Sequence, residues 1–120
     1  MKIYTSYFAN YRNFPDNALV LGITRFPPNY WTGINIANFA PSEKLLRQYR
    51  NKDIDEFMFK NLYLEEINSK YSREEVLNIF DLLSTGGKFD IILCCYEKPN
   101  EFCHRHILAE WLNCDVDEYN

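Results

Sequence analysis

A chain of 120 residues that is 47% hydrophobic and 17% aromatic carries enough apolar surface for one core. This sets it apart from the low-hydrophobicity chains that stay disordered. Seventeen acidic against thirteen basic residues leave a formal charge of −4, which disfavours non-specific nucleic-acid binding while leaving recognition of one small anion open. No run approaches the roughly 18 uninterrupted apolar residues of a membrane helix, and residues 1–2 lead directly into a strand-like pattern without a signal-peptide stretch. A cytoplasmic location and no membrane partner are therefore expected.

Residues 2–7, KIYTSY, alternate Ile3, Thr5 and Tyr7 with Lys2, Tyr4 and Ser6, and predict the first strand. Pro15, Asp16 and three Asn residues mark 10–17 as a loop. Residues 18–24, ALVLGIT, are almost continuously apolar, as in a strand covered on both faces of a parallel sheet. Pro27 and Pro28 then stop regular structure, and 29–41 read as a long ordered loop, with a short edge strand available at 33–37.

Ser42 suits the N-cap of a helix over 43–50. Asp53 and Glu56 stand at capping-box spacing before a second helix to about Asn68, and Ser72 and Glu75 repeat that spacing before a third, which Gly86 and Gly87 stop. Residues 89–96, FDIILCCY, form the clearest strand in the chain. Lys98, Pro99 and Asn100 break it, and a last helix is predicted over 101–112. Buried strands separated by helical segments predict a single α/β domain over 1–120, a three-layer sandwich with a small, mainly parallel sheet.

The four cysteines, Cys94, Cys95, Cys103 and Cys114, all fall in the last 27 positions. That clustering differs from a scattered disulfide framework and reads as thiols. Adjacent residues on a strand face opposite sides, so at most one of Cys94 and Cys95 shares a site with Cys103. Cys94 is assigned to the core, Cys114 and His106 to the surface.

Residues 91–111 read IILCCYEKPNEFCHRHILAEW. This segment resembles the DUF488 family, a domain of unknown function whose hallmark is a buried strand ending in Leu-Cys-x-Glu, a short loop, and Cys-His-Arg opening a helix. Leu93, Cys95, Glu97, Cys103, His104 and Arg105 are the matching positions, with Cys94 standing where the family has Leu. The N-terminal IYTSY and the ITRFPP turn are similar to that family's first two strands, and the chain resembles its shorter branch. The resemblance implies a fold and a site, and no particular reaction or cofactor.

Three chemistries suit those residue types. A helix beginning beyond the carboxyl end of a strand offers unpaired N–H groups to an anion. With Arg25 and Arg105 it would hold a small phosphate-bearing or nucleotide-like ligand, oriented by Glu97 or Ser6 and flanked by Tyr30 and Trp31. Cys103 could be a nucleophile with His104 as base, Glu97 serving in proton transfer. Cys95, Cys103 and His104, with Glu97, are also candidate ligands for zinc or iron.

Against these stands a purely architectural assignment. Here Glu97 pairs with Arg105, the cysteines pack as small hydrophobes and His104 satisfies a backbone carbonyl. Six such residues at one corner exceed what packing requires, which favours a site. A protein-interaction module using the aromatic surface is the alternative from another class. No phosphate-binding Gly-rich loop, serine elbow or His-Glu-x-x-His motif is present, and the sequence assigns neither a cofactor nor an oligomeric state.

Overall fold

In the computed structural model, which describes residues 1–120, the apolar run before Tyr96 becomes the middle strand of a five-stranded sheet. The strands are β1 (Ile3–Tyr7), β2 (Ala18–Gly22), β3 (Ile34–Asn35), β4 (Asp90–Cys95) and β5 (Val116–Glu118), in the order β3-β2-β4-β1-β5. Every pairing is parallel. Leu93 of β4 lies between Thr5 of β1 and Leu21 of β2, which explains why β4 is apolar on both faces: it has neighbours on both edges and cover above and below.

Four α-helices connect the strands: α1 (Glu43–Arg50), α2 (Glu56–Lys70), α3 (Arg73–Leu83) and α4 (His104–Leu112). Ser42 caps α1 as predicted, its hydroxyl accepting from the Leu45 N–H at 3.1 Å. Ser72 and Glu75 close a full capping box on α3. The α2 cap is Asp55, not Asp53, because residues 51–53 are spent on leaving α1: Lys52 has φ +62° and the Asp53 N–H bonds the Gln48 carbonyl. The last helix begins three residues later than predicted, since Glu101 N–H closes a turn on Lys98 and Cys103 is still extended.

The alternation along the strands divides the interior. Ile3, Leu21, Ile23, Ile91 and Leu93 face the helices and join Phe39, Leu45, Phe59, Tyr63, Ile67, Val76, Phe80 and the inner side of α4 in one large core. Ile92 and Cys94 point the other way, onto Phe8, with Tyr4, Phe14, Val20, Trp31 and Tyr119 around them. The α/β class and parallel sheet are as expected, but the layer on this second face is thin. A 3-10 turn over Phe8–Asn13 and a mesh of mostly edge-to-face rings replace α-helices there. No helix is long and apolar enough to cross a membrane.

Candidate functional site

The site grows from the meeting of β4 with α4. Cys95 ends β4 and Cys103 is the N-cap position of α4, and the seven-residue excursion between them returns the chain to its starting point. The two sulfurs are joined as a disulfide with the Cα atoms 7.6 Å apart. Four thiols were expected, and only Cys94 and Cys114 are free. The residues that face away behave as expected: Cys94 is buried and its thiol is pushed up to about 12 by burial, while Cys114 is exposed.

His104 follows directly and lies buried under the edge of the Tyr63 ring. Its Nε2 is 2.5 Å from the Ile23 carbonyl, and its Nδ1 is 3.9 Å from Cys103 Sγ. Burial, helped by the nearby Arg105 charge and opposed by the Ile23 hydrogen bond, pushes the imidazole down to about 4. The ring is therefore neutral near pH 7, and since a carbonyl only accepts, Nε2 carries the hydrogen and the Nδ1 lone pair is left beside the sulfurs. This was legible as a satisfied carbonyl, but not as an imidazole with one nitrogen in reserve.

Arg105 is the third residue of the corner, and its side chain is completely buried. Nη1 donates to Cys95 Sγ at 2.9 Å and to the Glu97 carbonyl at 2.6 Å; Nη2 donates to Glu118 Oε2 at 2.8 Å, and Nε to Oε1 at 3.3 Å. The Thr5 hydroxyl also donates to Glu118 Oε1, at 2.5 Å. The ion pair expected between Arg105 and Glu97 is thus made by Glu118 instead. Glu97 contributes its backbone, because the chain turns away after Cys95 while β5 brings Glu118 into register with Thr5. Glu118 had no signal in the sequence beyond its place in a short acidic tail.

A cleft of about 270 Å³ opens in front of this corner, lined by Thr24, Arg25, Phe26, Pro41, Leu46, Arg50, Tyr96, Glu97 and His104. Arg25, Glu97 and His104, three of the residues singled out in the sequence, share this cleft. Arg25 leans on the Pro41 carbonyl through long bonds of 3.3 and 3.4 Å, and Tyr96 ties the two sides by donating its hydroxyl hydrogen to the Phe26 carbonyl. Arg50, at the end of α1, was missed: on its own helix it is one more surface cation, and only the folding of α1 toward the β2 turn brings it here.

Other expected ligands lie elsewhere. Arg105 is behind the cleft wall, held by Glu118. Ser6 is wholly buried, its hydroxyl donating to the Tyr119 carbonyl at 2.7 Å, because β1 is covered by the C-terminal segment. Tyr30 is exposed and lines a separate groove with Tyr11 and Trp31. His106, assigned to the surface, is instead half-buried on the opposite side of α4, beside Thr5 and Glu118.

The cleft occupies a particular point of the topology. From β2 the chain departs toward β3, and from β4 it departs toward β5, on opposite sides of the sheet. Adjacent parallel strands whose connections diverge leave a crevice between their carboxyl ends, the usual ligand position in open α/β sheets. A family model, DUF488-N3a, described as the active DUF488-N3 subclade, matches residues 4–115. No curated protein and no solved structure matches the chain.

Proposed function

The chain belongs to the DUF488 family, and from that premise we propose that its strand-end cleft binds a small phosphate-bearing, nucleotide-like ligand. One observation carries the reading: Arg25 and Arg50, from separate elements, line a single cleft at the divergence of β2 and β4. Two guanidinium groups present planar, permanently charged forks suited to phosphate oxygens. Phe26 and Tyr96, both substantially exposed on the same cleft, offer faces for a planar base. Glu97 is the acceptor at hand for a ligand hydroxyl or amine. At about 270 Å³ the cleft is slightly smaller than most ligand pockets, typically ~300–1,000 Å³, so it suits a compact ligand or the phosphate end of a larger one. The description of this subclade as active supports a working site.

Calorimetric titration with inorganic phosphate and with nucleoside monophosphates tests the proposal. Binding by the wild type is expected to weaken about tenfold or more in Arg25→Ala and Arg50→Ala, the loss of a charge-assisted hydrogen bond of roughly 1.5–3 kcal/mol. Both variants should unfold at the wild-type temperature. Absence of binding to every phosphate-bearing probe, or affinity unchanged in both variants, overturns the proposal.

A further inference from the structure

The corner behind the cleft holds two sulfurs and an imidazole, all buried, with ligand atoms within 4.8 Å of one another. Its backbone does not match the bond that joins the sulfurs: the Cα atoms are 7.6 Å apart, whereas disulfides usually span about 4.4–6.8 Å. A frame this wide suits two sulfurs separated by a shared third atom. Ligands at zinc distances of about 2.0–2.3 Å, set tetrahedrally, stand roughly 3.5–3.8 Å from each other. Cys103 Sγ and His104 Nδ1 are already 3.9 Å apart.

The surroundings point the same way. His104 is anchored through Nε2 to the Ile23 carbonyl, the arrangement that orients a metal-binding imidazole and leaves its other nitrogen bare. Arg105 donates to Cys95 Sγ, as second-shell N–H groups do to ligating thiolates. Charge balance also fits. Arg105 is neutralised by Glu118, so two buried thiolates would have no counter-charge of their own, and a divalent cation supplies it.

We propose that in the reduced protein Cys95 Sγ, Cys103 Sγ and His104 Nδ1 bind one thiolate-preferring divalent ion, zinc or ferrous iron, with its remaining position filled by water or an anion from the adjoining cleft. Three protein ligands are the number found in zinc sites that keep a position open. The disulfide is the metal-free oxidised form of the same corner. An external dithiol converts it by passing two electrons and two protons to Cys95 and Cys103 while itself becoming a disulfide. Binding of the cation then releases both protons to solvent. The metal site stands apart from the anion cleft in its test, since phosphate binding at Arg25 and Arg50 is measured without metal.

The experiment is anaerobic titration of the reduced, full-length protein with Co²⁺. One ion per chain is expected, with sulfur-to-cobalt charge-transfer absorption and tetrahedral visible bands. The signal should disappear on addition of Zn²⁺ and never form in the oxidised protein. Affinity should fall at least about tenfold in Cys95→Ser and in Cys103→Ser, and stay unchanged in Cys114→Ser. X-ray absorption at the zinc edge of the loaded wild type should count two sulfurs and one imidazole nitrogen, a readout independent of whether any variant folds. The proposal is overturned by reduced, folded wild type that binds no Co²⁺, by full charge-transfer absorption in folded Cys95→Ser, or by an edge spectrum with fewer than two sulfurs.

Discussion

Arg105 and Arg25 are alike in sequence and opposite in role, and the difference is burial. Arg105 is sealed between Cys95, the Glu97 carbonyl and Glu118, so removing it strands a largely buried carboxylate. Arg105→Ala is expected to cost about 3–5 kcal/mol in urea unfolding, whereas Arg25→Ala, losing only long bonds to Pro41, should change stability by no more than about 0.5 kcal/mol. An equal effect of the two would contradict this division between framework and cleft. The cysteines divide similarly. With Cys95 and Cys103 paired, Cys94 buried and Cys114 exposed, a thiol reagent at mild alkaline pH should label Cys114 quickly in the oxidised native protein. Cys94 should react only on unfolding, and the other two only after reduction.

At the scale of elements, the helix starts are the features in which local chemistry governs the outcome. The Ser72 hydroxyl accepts from Glu75 N–H at 3.1 Å while the Glu75 carboxylate accepts from Ser72 N–H at 2.9 Å. Ser72→Ala should therefore destabilise by about 1 kcal/mol. Those hydrogen bonds, the backbone one foremost, hold the Glu75 carboxyl below its ordinary value of 4.5. A depressed folded value means a contribution fully present above the ordinary carboxylate range and lost as pH falls through the folded value. The stability difference between wild type and Glu75→Ala, followed by thermal unfolding, should accordingly shrink on acidification below that range and stay constant from there to neutrality. These caps were legible in advance because each depends on residues three apart. The Asp53 assignment failed for the same reason in reverse, since two acidic residues stood at workable spacing and the turn out of α1 decided between them.

For the whole molecule, the C-terminal segment closes the sheet. β5 pairs only with β1, yet it delivers Glu118 to Arg105 and sets the Tyr119 ring edge-on to Tyr4 and Phe14. It also gives Ser6 and Asn10 the Tyr119 carbonyl as partner. Glu118 and Tyr119 lie beyond the stretch that matches the family model. A chain ending at Asp115 should lose more stability than Arg105→Ala, because it exposes the aromatic face as well as breaking the ion pair. Denaturant unfolding of the two variants side by side checks the order.

The parts set by neighbours along the chain are legible in the order of the residues. These are the doubly apolar strands β2 and β4, the Ser42 and Ser72 caps, and the Cys-His-Arg start of α4 that carries the family resemblance. That order also places Arg25, Glu97 and His104 near one another, because strand ends in a parallel sheet share one edge. Features that depend on distant partners are set by the packing of the folded chain. Arg50 enters the cleft by the packing of α1, Arg105 leaves it by pairing with Glu118 across 13 positions, and Ser6 is covered by Tyr119, just past β5. Local hydrogen bonds and side-chain alternation act over a few residues and are written in order. The partner of a buried charge is chosen by whichever segment the fold brings alongside, and for Arg105 that segment is a short acidic strand whose place depends on its register with β1.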